Sequence, residues 1–274
     1  VIAAIVPEGT ARGGRIELDG GWLLPGFIDT QVNGGGDVLF NDAPTVEGIA
    51  TIAAAHRRFG TTGLLPTLIS DDLSIVEAAI AAVDAAIAQG VPGVLGIHIE
   101  GPFLNPGKRG IHDAAKFRTL DAAAVALLTR PGPGVRLVTL APERAPPGAI
   151  RTLVAGGVIV AAGHSLADYD QTRAALAEGL SGFTHLFNAM TQLGSREPGM
   201  VGAAIEDRAS RFGLIVDGHH VPPAALRIAI AARGVDGAML VTDAMSPVGG
   251  STTRFTLMGR EITLANGMLT GEDG

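Results

Sequence analysis

Glu100, His164, His185 and Asp243 each stand at or beside the end of a short apolar run: VLGIHIE (94–100), VIVAAGH (158–164), GFTHLFN (182–188) and AMLVTDA (238–244). Burying a lone carboxylate at a strand tip costs several kcal/mol or forces its protonation, so Glu100 needs a strong partner or a functional cavity. Imidazole and carboxylate ligands suit zinc and similar divalent ions. A catalytic site of that kind uses three protein ligands and keeps a position for water. Asp243 beside such an ion can take a proton from water and return it to a leaving group. The bland alternatives are separate polar residues at strand ends and, for Asp243, a cap on the following turn at Ser246-Pro247.

Around this set lie further candidates. His112 falls on a long loop after the third run, where an imidazole can polarise a substrate carbonyl, although position alone fits a surface histidine nearly as well. Arg196, His219 and His220 suit an anionic group, because a guanidinium offers forked donors to phosphate. Backbone N–H groups at Asn188 and Ala189 can add to that. Only one of the adjacent His219 and His220 is expected to face substrate.

What must position these residues is a repeated phrase. Eight short runs rich in Val, Ile and Leu end in polar or glycine residues: the four above and those at 22–33, 61–69, 135–143 and 212–218. Between them lie segments such as VEAAIAAVDAAIAQG (76–90), DQTRAALAEG (170–179) and PPAALRIAIAARG (222–234), with helical apolar spacing and a closing glycine. Alternating strands and helices imply parallel βαβ units, and near-continuous apolar strands imply a sheet covered on both faces. Eight units predict an α/β fold, a (β/α)8 TIM-like barrel, with chemistry at the C-terminal strand ends. Gln31, Asn33, Glu100, His164, His185 and Asp243 then share one mouth. An open doubly wound sheet is the rival and gathers only some of them. The flanks GRIELDGGW (14–22) and TRFTLMGREITLANGMLT (253–270) show strand-like alternation with Gly and Asn-Gly turns. The expected division is therefore residues 1–22 as one part of a small β domain, 23–252 as the barrel and 253–274 as a strand-rich segment.

Composition removes several function classes. A net charge of −7 argues against a general nucleic-acid binder. Zero cysteines exclude disulfides and thiolate metal sites and fit a cytoplasmic protein. Gly, Pro or charge breaks every apolar stretch short of a membrane span, no signal peptide is evident, and the first residue, Val1, points to a trimmed N-terminus. There is no GxSxG elbow and no Walker A sequence, and GGG at 34–36 lacks the dinucleotide spacing, so it reads as a loop needing unusual backbone angles.

PGFIDTQVNGGG, HIEGPFLNPGKRGIHD, AGHSLADY, THLFNAM, SREPG, VDGHHV and LVTDAMSP occur in this order from about Leu23 to Pro247. In this the chain resembles the N-acetylglucosamine-6-phosphate deacetylases of the amidohydrolase superfamily. The resemblance implies a barrel with a small β-sandwich built from both chain ends, and hydrolysis of N-acetylglucosamine 6-phosphate to glucosamine 6-phosphate and acetate. It implies Glu100, His164 and His185 as metal ligands, Asp243 as base and then acid, and His112 near the reacting carbonyl. Asn188, Ala189, Arg196 and His220 are implied as sugar-phosphate contacts, with Arg196 reaching across a homodimer interface. Chains of this family continue past Gly274. Many amidohydrolases carry His-x-His at the end of the first strand; here those positions are Gln31 and Asn33, neutral amides that are weaker ligands than imidazole. One divalent ion per chain is therefore expected, zinc first, with iron or another divalent ion as alternatives. Gln31 and Asn33 would help through water or hydrogen bonds, or simply pin the glycine loop. The competing readings are an amidohydrolase acting on a cyclic amide or aminated base, and a non-catalytic sugar-phosphate-binding barrel.

Overall fold

The computed structural model describes residues 4–7, 9–10, 13–14 and 16–271. Eight parallel strands form one sheet in sequence order: β1 (Phe27–Val32), β2 (Thr61–Ile69), β3 (Gly96–Glu100), β4 (Val135–Leu140), β5 (Ile159–Ala162), β6 (Gly182–Phe183), β7 (Arg211–Ile215) and β8 (Ala238–Val241). Each of the first seven is followed by a helix: α1 (Val46–Arg57), α2 (Leu73–Ala88), α3 (Ala122–Leu128), α4 (Ala149–Ala155), α5 (Tyr169–Ala177), α6 (Gly199–Glu206) and α7 (Pro223–Arg233). The sheet curls until its ends meet at the mouth. Val32 bridges Ala244, the Asp243 N–H donates to Gln31 O at 3.0 Å, and the Thr242 hydroxyl donates to the buried Asp29 carboxylate at 2.6 Å. This is the predicted barrel, and the open-sheet alternative falls.

Local sequence explains the elements. Eight of nine residues in β2 are buried, as a strand covered on both faces requires. Helix starts are marked by Thr45 accepting from the Gly48 N–H, Asp121 from the Ala124 N–H, and an Asp168–Gln171 capping box. The core between strands and helices holds Ile49, Ile52, Ile80, Leu128, Phe183 and Phe212, each under 2% exposed. No described helix is long and apolar enough to cross a membrane.

The flanks differ from each other. The C-terminal one forms a three-stranded antiparallel sheet, β9 (Arg254–Leu257), β10 (Arg260–Ala265) and β11 (Met268–Gly271). Its hairpin turns, Met258-Gly259 and Asn266-Gly267, have positive φ at both residues, as tight hairpins prefer. Leu257 and Ile262 pack on Leu39 and Ile69, with Ile111 and Met245 alongside, so this sheet lies against the barrel mouth. The alternation at 14–22 forms no strand among the described residues, and Ile16, Trp22, Leu23 and Leu24 are exposed. Strand propensity is realised only where a neighbour accepts the ladder hydrogen bonds.

Candidate active site

The mouth is built where strands end abruptly. His164, His185 and Asp243 have φ of 49°, 33° and 51°, in the left-handed region that non-glycine residues seldom occupy. Phe187 and Ala189 follow with φ of 80° and 51°, so the run 182–188 yields only a two-residue strand. Such strain tends to collect where function fixes a side chain's direction. The glycine loop after β1 is equally constrained. A Cβ on Gly34 would lie 2.5 Å from Val38 O, and Gly36 has φ of 63°.

Glu100, His164 and His185 meet. Glu100 Oε1 lies 3.2 Å from His164 Nε2 and 3.1 Å from His185 Nε2, and the two nitrogens are 3.0 Å apart. Ligand atoms around a tetrahedral zinc ion stand roughly 3.3 Å apart, so the three atoms are spaced as an ion would hold them. His164 Nδ1 contacts Lys108 O at 2.8 Å, which assigns the proton to Nδ1 and turns the Nε2 lone pair inward. A second trio, Glu100, His112 and His164, also has ligand atoms within 4.8 Å of one another. His112 is the weaker ligand candidate. The Ser70 N–H donates to its Nδ1 at 3.2 Å, with Ser70 Oγ at 2.7 Å, so the ring proton belongs on Nε2. That leaves His112 presenting a donor.

The first-strand amides brace this set. Gln31 Nε2 donates to Glu100 Oε1 at 3.1 Å, and Asn33 Nδ2 donates to Asp243 Oδ1 at 2.7 Å. Asn33 Oδ1 and His185 Nδ1 are buried without a partner among the described residues. Burial drives the Glu100 carboxyl upward, but hydrogen bonds and charges from His164 and His185 outweigh it and hold it well below its usual value. Burial pulls His185 down, and the Glu100 bond and charge lift it above its usual value. Burial, then the charge on Glu100, raises Asp243, which suits a group that accepts and returns a proton. Burial, reinforced by His164, pushes His112 down to about 3, so it is neutral near pH 7.

Glu100, His112, His164, His185 and Asp243 line a cavity of about 400 Å³ shared with Asn188, Ala189 and His220 and walled by Phe255, Leu257 and Ile262, with Gln31 and Asn33 outside its lining. A comparable groove of about 370 Å³ lies at the seam between β1 and β8, lined by Phe27, Phe59 and Leu240, but holds none of the converging histidines. His220 Nδ1 donates to Asp217 at 2.5 Å, and burial of Asp217 is overcome by this bond and two backbone N–H donors, leaving it at about 2. His219 is outside the cavity lining, so one histidine of the pair faces it. The Asn188 N–H is already given to His185 O at 2.9 Å and is unavailable to an anion, while the Ala189 N–H has no protein acceptor among the described residues. Arg196 is exposed on the loop before α6 and does not line the cavity. Sequence reading overlooked Ser70, whose only signal was its place just after the run at 61–69.

Comparison with known proteins agrees with this architecture. Residues 22–269 match the profile described as the amidohydrolase family. The N-acetylgalactosamine-6-phosphate deacetylase of Shewanella sp. (strain ANA-3) is 49% identical over 253 residues, covering 92% of this chain and 64% of that protein. The human N-acetylglucosamine-6-phosphate deacetylase is 41% identical over 264 residues, covering 91% and 62%. The chain thus spans less than two thirds of either relative. The crystal structure of N-acetylglucosamine-6-phosphate deacetylase from Pasteurella multocida superposes with a TM-score of 0.87 at 32% identity, covering 91% of this chain and 66% of that one.

Proposed function

From the premise that the chain belongs to the amidohydrolase family, we propose that it removes the N-acetyl group of an N-acetylated amino-sugar 6-phosphate by hydrolysis, releasing acetate. The observation that carries this reading is the buried triangle of Glu100 Oε1, His164 Nε2 and His185 Nε2, with sides of 3.0 to 3.2 Å, in one cavity with Asp243. Those three residues would hold one divalent ion; zinc fits the donor set best. When bound, such an ion supplies the charge that acidifies water and polarises an amide oxygen.

The chain's own groups do the rest. Asp243 takes the proton from the attacking water. His112 donates its Nε2–H to the carbonyl oxygen as negative charge develops there. Asp243 then delivers the proton to the sugar nitrogen, since an amide anion is a very poor leaving group. Gln31 and Asn33 keep the two carboxylates turned into the cavity. His220 and the Ala189 N–H engage the sugar phosphate and fix the amide over the metal site. Arg196 is assigned to the phosphate bound in the partner subunit of a homodimer, because it stands outside its own cavity.

Both 4-epimers belong in the substrate class. N-acetylglucosamine 6-phosphate follows from the sequence motifs. N-acetylgalactosamine 6-phosphate follows from the 49% identity to a relative named for that activity. Acetate release by metal-loaded protein from both sugar phosphates and from unphosphorylated N-acetylglucosamine is the direct test. Turnover of neither phosphate would overturn the reading. In the same assay, Arg196→Ala and His220→Ala should each lower kcat/KM on the phosphorylated sugar by about tenfold or more and leave the unphosphorylated sugar nearly unaffected. Equal losses on both would assign them a structural role.

A further inference from the structure

Glu143 lies just beyond β4 and contributes nothing to the chemistry described above, yet its carboxylate ties together two other segments of the chain. Oε1 accepts from Asn105 Nδ2 at 2.8 Å and from the Leu166 N–H at 2.7 Å, and Oε2 accepts from Ser165 Oγ at 2.6 Å. All of these partners surround His164. On one side, Ser165 and Leu166 follow it directly in the chain. On the other, the Asn105 N–H donates to His164 O at 2.9 Å. Asn105 also organises the turn Pro106–Lys108: its Oδ1 accepts from the Gly107 N–H, and its carbonyl accepts from the Lys108 N–H. That turn places Lys108 O against His164 Nδ1 at 2.8 Å.

Two routes therefore run from one carboxylate to one imidazole. The first fixes the backbone after His164. The second fixes the carbonyl that sets its tautomer. The need is physical, because His164 has a φ of 49° and would relax if its neighbours were released. We infer that Glu143 is a positioning residue for the metal site, holding His164 in its strained backbone and with its Nε2 lone pair directed at Glu100 and His185. This rests on the reading of that triangle as a divalent-cation site.

The test is the zinc dissociation constant, measured by competition with a chromophoric chelator. Wild type is compared with Glu143→Ala, Glu143→Gln, Ser165→Ala and Glu178→Ala. Glu178 is the control, since it brackets backbone N–H groups of Gly148 and Arg151 on the outer helical layer in the same manner. Glu143→Ala should weaken zinc binding by about 10- to 100-fold, the usual scale for removing a group that orients a ligand. Glu143→Gln should fall between it and wild type, since one oxygen still accepts. Glu178→Ala should bind zinc like wild type whatever its melting temperature. Zinc affinity of Glu143→Ala within twofold of wild type overturns the proposal, as does an equal loss in Glu178→Ala. Should Glu143→Ala fail to fold, Ser165→Ala decides: a loss of about threefold or more supports the role, and no loss refutes it. A wild-type protein that binds no divalent ion would instead remove the metal reading itself.

Discussion

The barrel mouth and the outer helical layer solve the same problem, satisfying polar groups, in opposite ways. On the helices the partners are local: Thr45 caps Gly48, Asp121 caps Ala124, and Asp168 and Gln171 cap each other. At the mouth, residues distant in sequence meet: Gln31 with Glu100, Glu100 with His185, Asn33 with Asp243. The local set is mostly exposed and unstrained. The distant set buries ionisable groups and bends His164, His185 and Asp243 into left-handed backbone. Such a cluster costs folding energy, which proteins accept where function needs it. Changes at the mouth should therefore damage chemistry more than stability, and changes on the helices the reverse.

The largest effect should follow from opening the triangle. His164→Ala or His185→Ala should abolish tight metal binding and lower turnover by at least about a thousandfold, combining the lost ion with the lost polarisation it supplies. Elemental analysis of desalted protein beside acetate release is the measurement. One tightly held ion in wild type and none in the variants is expected. Two tight ions in active wild type would contradict the single-site geometry, and full turnover by metal-free protein would overturn the mechanism. Next comes Asp243→Asn, which keeps size but removes the basic carboxylate. Turnover should fall by about a hundredfold or more with metal content retained; near-normal turnover would remove Asp243 from its role.

How far this contrast was legible follows from the same difference. The eight runs, the helices between them and their closing glycines are local signals, and the barrel followed from counting them. Glu100, His164, His185 and Asp243 were legible as polar tips because the fold aims every strand end at one mouth. Ser70 was not, and Glu143, although it closes the run 135–143, carried no sign of its partners. Each acts by a hydrogen bond to a residue far along the chain, and a serine or glutamate beyond a strand has many ordinary uses. The alternation at 14–22 forms no strand among the described residues for a related reason: alternation records a tendency, and pairing depends on a neighbour that the pattern does not contain.

Beneath the metal layer, His98 joins the two regimes, as a buried titratable group doing purely structural work. Its Nε2 contacts Thr139 Oγ1 at 2.8 Å. Burial, only partly countered by the charge on Glu100, pushes it down to about 4 from 6.5. The unfolded chain therefore takes up this proton first as pH falls. The contribution of neutral His98 should be complete above about pH 6.5, decline between 6.5 and 4, and be gone below that, a loss on the order of 3 kcal/mol. Urea unfolding across this range should show a shallower pH dependence in His98→Gln than in wild type. Parallel curves would show that His98 does not set the slope.

The smallest effect belongs to the outer layer. Thr45 Oγ1 accepts from the Gly48 N–H at 3.1 Å and caps the first turn of α1, which carries Glu47 where the helix dipole favours a negative charge. Thr45→Ala removes the acceptor of that N–H and should cost about 1 kcal/mol of stability. The helix packs its other face through Ile49, Ile52 and Ala53, which the substitution leaves in place, so the fold should persist. The same helix reaches the mouth indirectly, since His56 near its end contacts Gly34 O at 2.9 Å in the loop after Asn33. This makes Thr45 a demanding control. If the helical layer and the mouth are energetically separate, urea midpoints should shift while kcat, KM and zinc affinity stay at wild-type values. A drop in kcat comparable to that of a mouth variant would mean that the cap of α1 is felt at the catalytic end, and that the division between the two regions is wrong.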